Sequence, residues 1–501
     1  MSILDILSPL RQRQGTVRTQ GLNDATLLQL AAQYPDLITA AERAAQAFPA
    51  LATEFAELVD ADEQAQIDAT QSGFINFYPD DAINPYVAIA ACGPWVITLK
   101  GRVLHDSGGY GMLGFGHTPQ NVIDTMSKPQ VMANIMSPSL SHLRVANALR
   151  EEIGQSRGAC PYAKFLTLNS GSESVSLAGR IADTNTKLMT DPGARHAGKT
   201  VKRIAMKGAF HGRTELPSWY SDSSRATYVK TLASYQQHSE ELITIEPYSI
   251  DGLKKAFADA DANGWFIEAM FLEPVMGEGD PGRAVPPEFY AVARELTKAH
   301  GTFLLVDSIQ AGLRAHGVLS IVDYPGFANL EAPDMETYSK ALNGGQYPLS
   351  VLAVNERAAK VYAKGTYGNT MTTNPRAMDI ATTVLKSLTP EIRANIRSKG
   401  AEALDKLNAL KAELGGLITK VQGTGLLFSC ELDPSFKCYG ANSTEEFMRE
   451  HGIGVIHGGT NSLRFTPHFG ITSAELDLVI EHIRIALLKG PRKSVVEAAA
   501  A

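Results

Sequence analysis

Across residues 165–354, short apolar runs rich in β-branched and aromatic residues alternate with longer amphipathic segments. The candidate strands are 165–168, 203–206, 266–272, 303–306, 335–338 and 349–354, and helical spacing fills gaps between them, as at 172–187 and 287–299. Alternation of this kind predicts an α/β fold with a large, mostly parallel sheet. A long helical stretch follows Pro375, then strand-like runs at 425–432 and 462–466 and a final helix from Ala474, which reads as a smaller α+β domain. Residues 1–72 differ in texture. Alanine, leucine and glutamine dominate, and Leu27, Leu30, Ala31, Phe55, Leu58 and Val59 fall at helical spacing. The expected division is a helical N-terminal extension (1–72), the N-terminal part of the small domain (73–125), a large ligand-binding domain (126–375) and a C-terminal small domain (376–501).

An open parallel sheet gathers polar groups in a crevice beyond the carboxyl ends of its strands. Here a polar group follows one candidate strand after another. Asn169-Ser-Gly-Ser-Glu173 opens a helix, where glycine permits close backbone approach and the helix start favours a phosphate. Ser170 and Glu173 also fit a helix cap. Gly208-Ala-Phe-His-Gly-Arg213 ends the next candidate strand with an aromatic, a histidine and an arginine, and Phe271-Leu-Glu-Pro-Val-Met-Gly-Glu278 ends another with two acids. Asp307, with Gln310 behind it, ends a fourth, and Lys340 follows 335–338. One aspartate at a strand end is an ordinary cap and one lysine an ordinary solvated residue, but the ordered set is hard to explain as loops.

Two literal motifs fail on context. Gly193–Thr200 reads GxxxxGK[ST], yet helix precedes it and a strand-like run follows, the reverse of a P-loop. It keeps a nucleotide-binding protein using Lys199 as a remote alternative. Gly109-x-Gly111-x-x-Gly114 lacks the acidic residue about 20 positions on that a dinucleotide site needs. There is no HExxH and no cysteine–histidine cluster at ligand spacing, so no metal is expected. The 46 basic against 53 acidic residues, a net charge of −7, argue against nucleic acid or an anionic membrane as partner. The longest uncharged stretch, 82–99, holds Asn84, Pro85, Gly93 and Pro94 and is no membrane helix. Four cysteines without CxxC spacing, and a start without a basic region and following apolar run, lead us to expect reduced thiols in a cytoplasmic protein.

Taken in order, these motifs resemble the class III aminotransferases, a pyridoxal-phosphate family of fold type I, with the ornithine aminotransferase group the nearest in likeness. The resemblance covers about 73–488. It rests most on Asp307-Ser-Ile-Gln-Ala-Gly-Leu313, Val322-Asp-Tyr324 and Lys340-Ala-Leu-Asn-Gly-Gly-Gln-Tyr-Pro-Leu-Ser350. It implies the cofactor pyridoxal 5'-phosphate, bound as an internal aldimine on Lys340, which also shuttles the proton. It implies that Asp307 keeps the pyridine nitrogen protonated, Gln310 donates to the phenolic oxygen, Phe210 stacks on the ring, and Gly171 and Ser172 hold the phosphate. Thr370 matches the threonine that reaches a neighbour's phosphate, which implies a homodimer with a shared active site. Arg213 and Arg464 match carboxylate-binding arginines, Glu278 the acid that masks the second of them, and Tyr110 a tyrosine of enzymes whose substrate carries an α-amino group, with a packed loop aromatic as its other reading. The implied reaction moves an amino group from an ω-amino acid (ornithine-, lysine- or 4-aminobutyrate-like) to a 2-oxo acid, 2-oxoglutarate. A racemase or aminomutase of the same fold is the alternative. His211 is expected to be packed or hydrogen-bonded rather than a base, since lysine already serves proton transfer. The chain departs from the family pattern at Ser308, usually glutamate, at Met276, usually glutamine, and at Arg314-Ala-His316.

Overall fold

The computed structural model describes residues 1–238 and 240–493. The alanine tail at 498–501 lies outside the described residues. The chain forms two compact units. One comprises Asn121–Arg397 with Gly423–Gly425, and the other Met1–Gln120, Ser398–Gln422 and Leu426–Ala501.

The Asn121–Arg397 unit is built on a seven-stranded sheet. In chain order its strands are β1 (Lys164–Leu168), β2 (Thr200–Met206), β3 (Leu242–Ile245), β4 (Trp265–Leu272), β5 (Phe303–Asp307), β6 (Met335–Tyr338) and β7 (Ser350–Val354). Their spatial order is β1-β7-β6-β5-β4-β2-β3. β2 through β6 pair in parallel, and β7 alone runs antiparallel to both of its neighbours. β5, β6 and β7 are buried along their whole length; β5 and β7 therefore carry the continuous apolar stretches Phe303–Val306 and Val351–Val354, whereas β6 buries Glu336 and Thr337. The helix Gly171–Thr190 packs Val175, Leu177, Ala178 and Ile181 against Phe271, Leu305 and Leu352 of the sheet. β3, a four-residue strand at the edge of the sheet, is absent from the strands expected above. The unit continues past Pro375 because the helix Pro375–Lys386 lies against Leu140–Glu152 and buries Met378, Ile380, Ala381 and Val384.

The other unit holds the N-terminal helices. The helix Pro35–Glu54 buries Leu37, Ala40, Ala41, Ala44 and Phe48 and lies on the strands Ala88–Cys92 and Trp95–Thr98. Buried polar groups tie the extension in. Glu63 accepts from the backbone N–H of Thr19 and Arg18 at 2.7 and 2.8 Å, and Lys100 Nζ donates to the Val59 carbonyl at 3.3 Å. A Cβ on Gly93 would stand 2.6 Å from Asp36 Oδ2, so helix and strand turn meet without room for a side chain. Residues 1–72 are thus part of this unit's core. The strand expected at 425–432 is Leu427–Leu432; a strand not expected, Ile418–Thr424, precedes it, and the turn between the two holds Gly425 at φ +55°. A Cβ at Gly425 would lie 2.0 Å from the Ala315 carbonyl oxygen, which excludes other residues. Among the described residues no helix is long and apolar enough to cross a membrane.

Candidate active site

Because β1, β2, β4, β5 and β6 point the same way, their carboxyl ends fall along one edge of the sheet, and the segments that follow them meet there. They enclose a cavity of about 190 Å³ lined by Ser170, Gly171, Ser172, Phe210, His211, Gly212, Glu273, Asp307, Ile309, Gln310, Ser339 and Lys340. The sequence-derived residues Gly171, Ser172, Phe210, Asp307, Gln310 and Lys340 are therefore brought together. Arg213 is exposed, with its guanidinium 5.3 Å from the centre of the Phe210 ring, and Glu278 is half-buried in the loop after β4; neither lines the cavity. Thr370 is exposed, and its carbonyl accepts from the Ile135 N–H at 3.0 Å. Tyr110 and Arg464 belong to the other unit and meet each other there, the guanidinium 5.7 Å from the tyrosine ring centre. Arg464 is buried on the strand Ser462–Phe465, and Tyr110 is half-buried at φ +50°.

At the anion end, Ser170 caps the helix Gly171–Thr190, its Oγ accepting from the Glu173 N–H at 3.2 Å, while Glu173 reaches back to the Asn169 N–H at 2.7 Å. The cap and phosphate readings coexist: the cap occupies the Glu173 N–H, and the first-turn residues Gly171 and Ser172 face the cavity with the N–H groups that a helix start leaves unsatisfied. Gly212 sits at φ +118°, where a Cβ would stand 2.5 Å from Ser172 Oγ.

At the other end, Asp307 Oδ2 lies 2.9 Å from His211 Nδ1, both side chains buried, and Asp307 Oδ1 accepts from the Ile309 N–H at 3.2 Å. His211 is thus hydrogen-bonded, as expected, but to the acid at the heart of the site. Its Nε2 is buried with no protein partner, an open hydrogen-bonding position in the cavity wall. Glu273, the first of the two acids after β4, belongs to the same cluster, a role its sequence motif alone did not assign. Its carboxylate accepts from the N–H groups of Phe210 and Gly277 at 3.1 and 2.8 Å. Burial pushes its carboxyl up to about 7; His211 and those two N–H groups pull it down, and Asp307 pushes it up.

Folded protein consequently holds a proton on Glu273 where the unfolded chain, with a glutamate near about 4.3, has released it. The stability this group contributes is fully present below that lower value and is lost as pH rises through about 7. Glu273→Gln should remove that loss. We expect the difference in unfolding free energy between the two proteins to change by on the order of 1–3 kcal/mol from pH 4.5 to 8. Parallel pH profiles of apparent melting temperature would refute it.

Lys340 follows β6 at φ +48° and opens a short helical turn, Lys340–Asn343. A lysine there costs about 1–3 kcal/mol of backbone strain, of the kind that concentrates at functional sites. The departure at Ser308 has a structural counterpart. Ser308 Oγ donates to Glu336 Oε1 at 2.6 Å, and Glu336 also accepts from Tyr162 at 2.6 Å, from the Ile321 N–H at 2.9 Å and from Ser320. The acid that Ser308 meets thus comes from β6, where Glu336 stands opposite Val306. Glu336 is raised by burial, with these donors opposing. The string at 193–200 links the helix Gly171–Thr190 to β2, helix before strand, and so does not form a phosphate loop.

A lysine, an aspartate and an aromatic face converging on a phosphate-ready helix start define a site for a pyridoxal-phosphate enzyme. The Aminotransferase class-III family matches residues 78–487, and the chain belongs to it. It is 29% identical over 403 residues to ornithine aminotransferase 2 of Staphylococcus aureus, covering 80% of this chain and 93% of that protein. It is 28% identical over 417 residues to acetylornithine aminotransferase of Neisseria meningitidis serogroup B, covering 82% and 96%. The ornithine aminotransferase of Toxoplasma gondii ME49 superposes with a TM-score of 0.72 at 22% identity over 87% of this chain and 98% of that one. The protein is an aminotransferase that depends on pyridoxal phosphate and takes an amino donor and an oxo acid. The cavity fits that cofactor: Phe210 and Ile309 offer apolar walls, the helix start an anion site, and His211 Nε2 an open polar position.

Proposed function

We propose that this enzyme moves an amino group from an ω-amino acid, of the ornithine, lysine or 4-aminobutyrate kind, to 2-oxoglutarate. The observation that carries the reading is the cavity that joins Lys340 to Asp307, Gln310, Phe210 and the helix start at Gly171, with Arg213 beside Phe210. When bound, the cofactor supplies an electron-withdrawing ring that stabilises charge on the substrate carbon. Lys340, which lines the cavity, would serve as the base that accepts the proton of that carbon on its amine and as the acid that gives it back. Asp307 would hold a proton at the ring nitrogen, Gln310 would donate to the phenolic oxygen, Phe210 would cover a ring face, and Gly171 and Ser172 would bind the phosphate. Arg213 and Arg464 bind substrate carboxylates through their planar forks, with Glu278 as the acid that neutralises the second arginine when no carboxylate needs it. Tyr110, against Arg464, reads the α-amino group. Relatives named for ornithine and acetylornithine support a donor with a terminal amine.

The test is half-reaction spectroscopy on the purified protein. Each donor is added without acceptor, and the cofactor's absorption is followed. Conversion by an ω-amino acid, reversed by 2-oxoglutarate, is the expected result. A bound cofactor that no donor converts would favour the racemase or aminomutase chemistry instead.

We further propose a homodimer with a shared site, in the cytoplasm. Beside Thr370, the surface exposes Met132 at 80%, Met136 at 84% and Leu140 at 69%, with Val131 and Leu143 close by in sequence. Apolar side chains bared in such a cluster mark an interaction surface, and Thr370 stands exposed among them and outside its own chain's cavity. The double variant Met136→Glu, Leu140→Asp should sediment as a monomer and bind the cofactor more weakly. A dimer unchanged by it would count against this surface.

A further inference from the structure

The other unit contains a polar cluster outside the machinery described so far. His105 on the strand Val103–Asp106, His468 in the loop after Ser462–Phe465, and Glu475 in the first turn of the helix Ser473–Lys489 converge, their candidate donor atoms all within 4.8 Å of one another. Glu475 Oε1 lies 3.2 Å from His105 Nε2 and 3.0 Å from His468 Nε2. We propose that these three residues bind a divalent transition ion of the zinc class.

Three features of the cluster support this. The first is ligand geometry. Bonds of about 2.1 Å at tetrahedral angles set neighbouring ligands about 3.4 Å apart, close to the two nitrogen–oxygen separations here. The second is how the outer atoms are held. His105 Nδ1 lies 3.0 Å from Ser107 Oγ, and the ring is wedged edge-on against Trp95 at 5.0 Å. With Nδ1 donating to the serine, Nε2 presents its lone pair to the cluster, the arrangement metal-binding histidines adopt. Glu475 Oε2 accepts from the Thr472 N–H at 2.8 Å, and the Glu475 N–H donates back to Thr472 Oγ1 at 3.2 Å. That reciprocal cap fixes the carboxylate and leaves Oε1 facing the imidazoles.

The third feature is charge. Glu475 is buried, and its ion-pair partners among the described residues are the two histidines. A buried anion needs a compensating positive charge. A divalent ion supplies it with both rings neutral. His468, whose side chain is 14% exposed, leaves an entry path, and a water would be the fourth ligand. His105 and Glu475 stand 370 positions apart, so no ligand spacing along the chain announces the cluster.

The test strips the holoenzyme with a chelator and titrates it with zinc alone, counting bound metal and following the melting temperature. Glu475→Gln keeps the helix cap, since glutamine serves the same box, and His468→Ala removes a ligand at the exposed side. The expected result is one zinc per chain and a zinc-dependent rise in melting temperature. Both should be lost in either variant, with affinity down at least ~100-fold, the upper end of what losing an outer-shell partner costs. Cobalt in place of zinc should give tetrahedral bands without thiolate charge transfer. Wild-type protein that binds no zinc, zinc retained by both variants, or a thiolate band would overturn the proposal. The first would make the cluster a hydrogen-bonded strut between strand and helix.

Discussion

Lys340→Ala should reduce steady-state transamination by at least roughly 10²–10⁴-fold, the range that a positioned proton-transfer group supplies. The side chain is half-buried and lines the cavity, so truncation opens no hole in the core and leaves the melting temperature of the protein nearly unchanged. Two further readings separate chemistry from folding. The variant should still take up the cofactor, held by the helix start at Gly171 and by Phe210, but without the absorption of a lysine-linked form. Small exogenous amines should restore part of the rate, because they can carry the proton into the space left behind. Wild-type turnover in the variant would remove Lys340 from the mechanism, and with it the assignment of the cavity.

The second large effect is expected at Asp307. Its Oδ2 pairs with His211 Nδ1 at 2.9 Å in a buried setting, so Asp307→Asn removes the charge that we propose holds a proton at the ring nitrogen and leaves the imidazole a neutral amide partner. Exchanging a charge-assisted buried hydrogen bond for a neutral one weakens it, and loss of an electrostatic stabiliser costs about 10²–10³-fold in rate. We expect turnover to fall by that factor and the melting temperature to drop as well. His211→Asn separates the two contributions. It keeps the carboxylate and loosens its orientation, so its rate loss should be much smaller than that of Asp307→Asn while cofactor binding weakens. Equal losses in rate for the two variants would make the pair a single unit, and an undiminished rate in Asp307→Asn would refute the role given to the acid.

Much of this site is legible before any folding is considered. Lys340, Asp307, Gln310, Phe210 and the 169–173 segment each follow an apolar run, and a parallel sheet with one strand direction necessarily carries such residues to one edge. The fold class and the cavity lining are thus written in local pattern plus a rule of topology. Boundaries are written less well. The edge strand β3 is absent from the expected set, and the turn at Gly425 looks like the start of a strand until the Ala315 carbonyl is seen standing 2.0 Å from where its side chain would be.

Pairings between distant residues belong to the tertiary structure. His211 and Asp307 are 96 positions apart, Ser308 and Glu336 28, and the extension's Glu63 caps a segment 44 residues before it. No spacing rule links such partners, because the sheet order β1-β7-β6-β5-β4-β2-β3 is not chain order. The sequence by itself determined which residue types stand at the ends of strands, since backbone periodicity and apolar burial act over a few residues. Only the tertiary structure decided which buried acid meets which histidine, because desolvation and hydrogen bonding depend on neighbours that the chain supplies from afar.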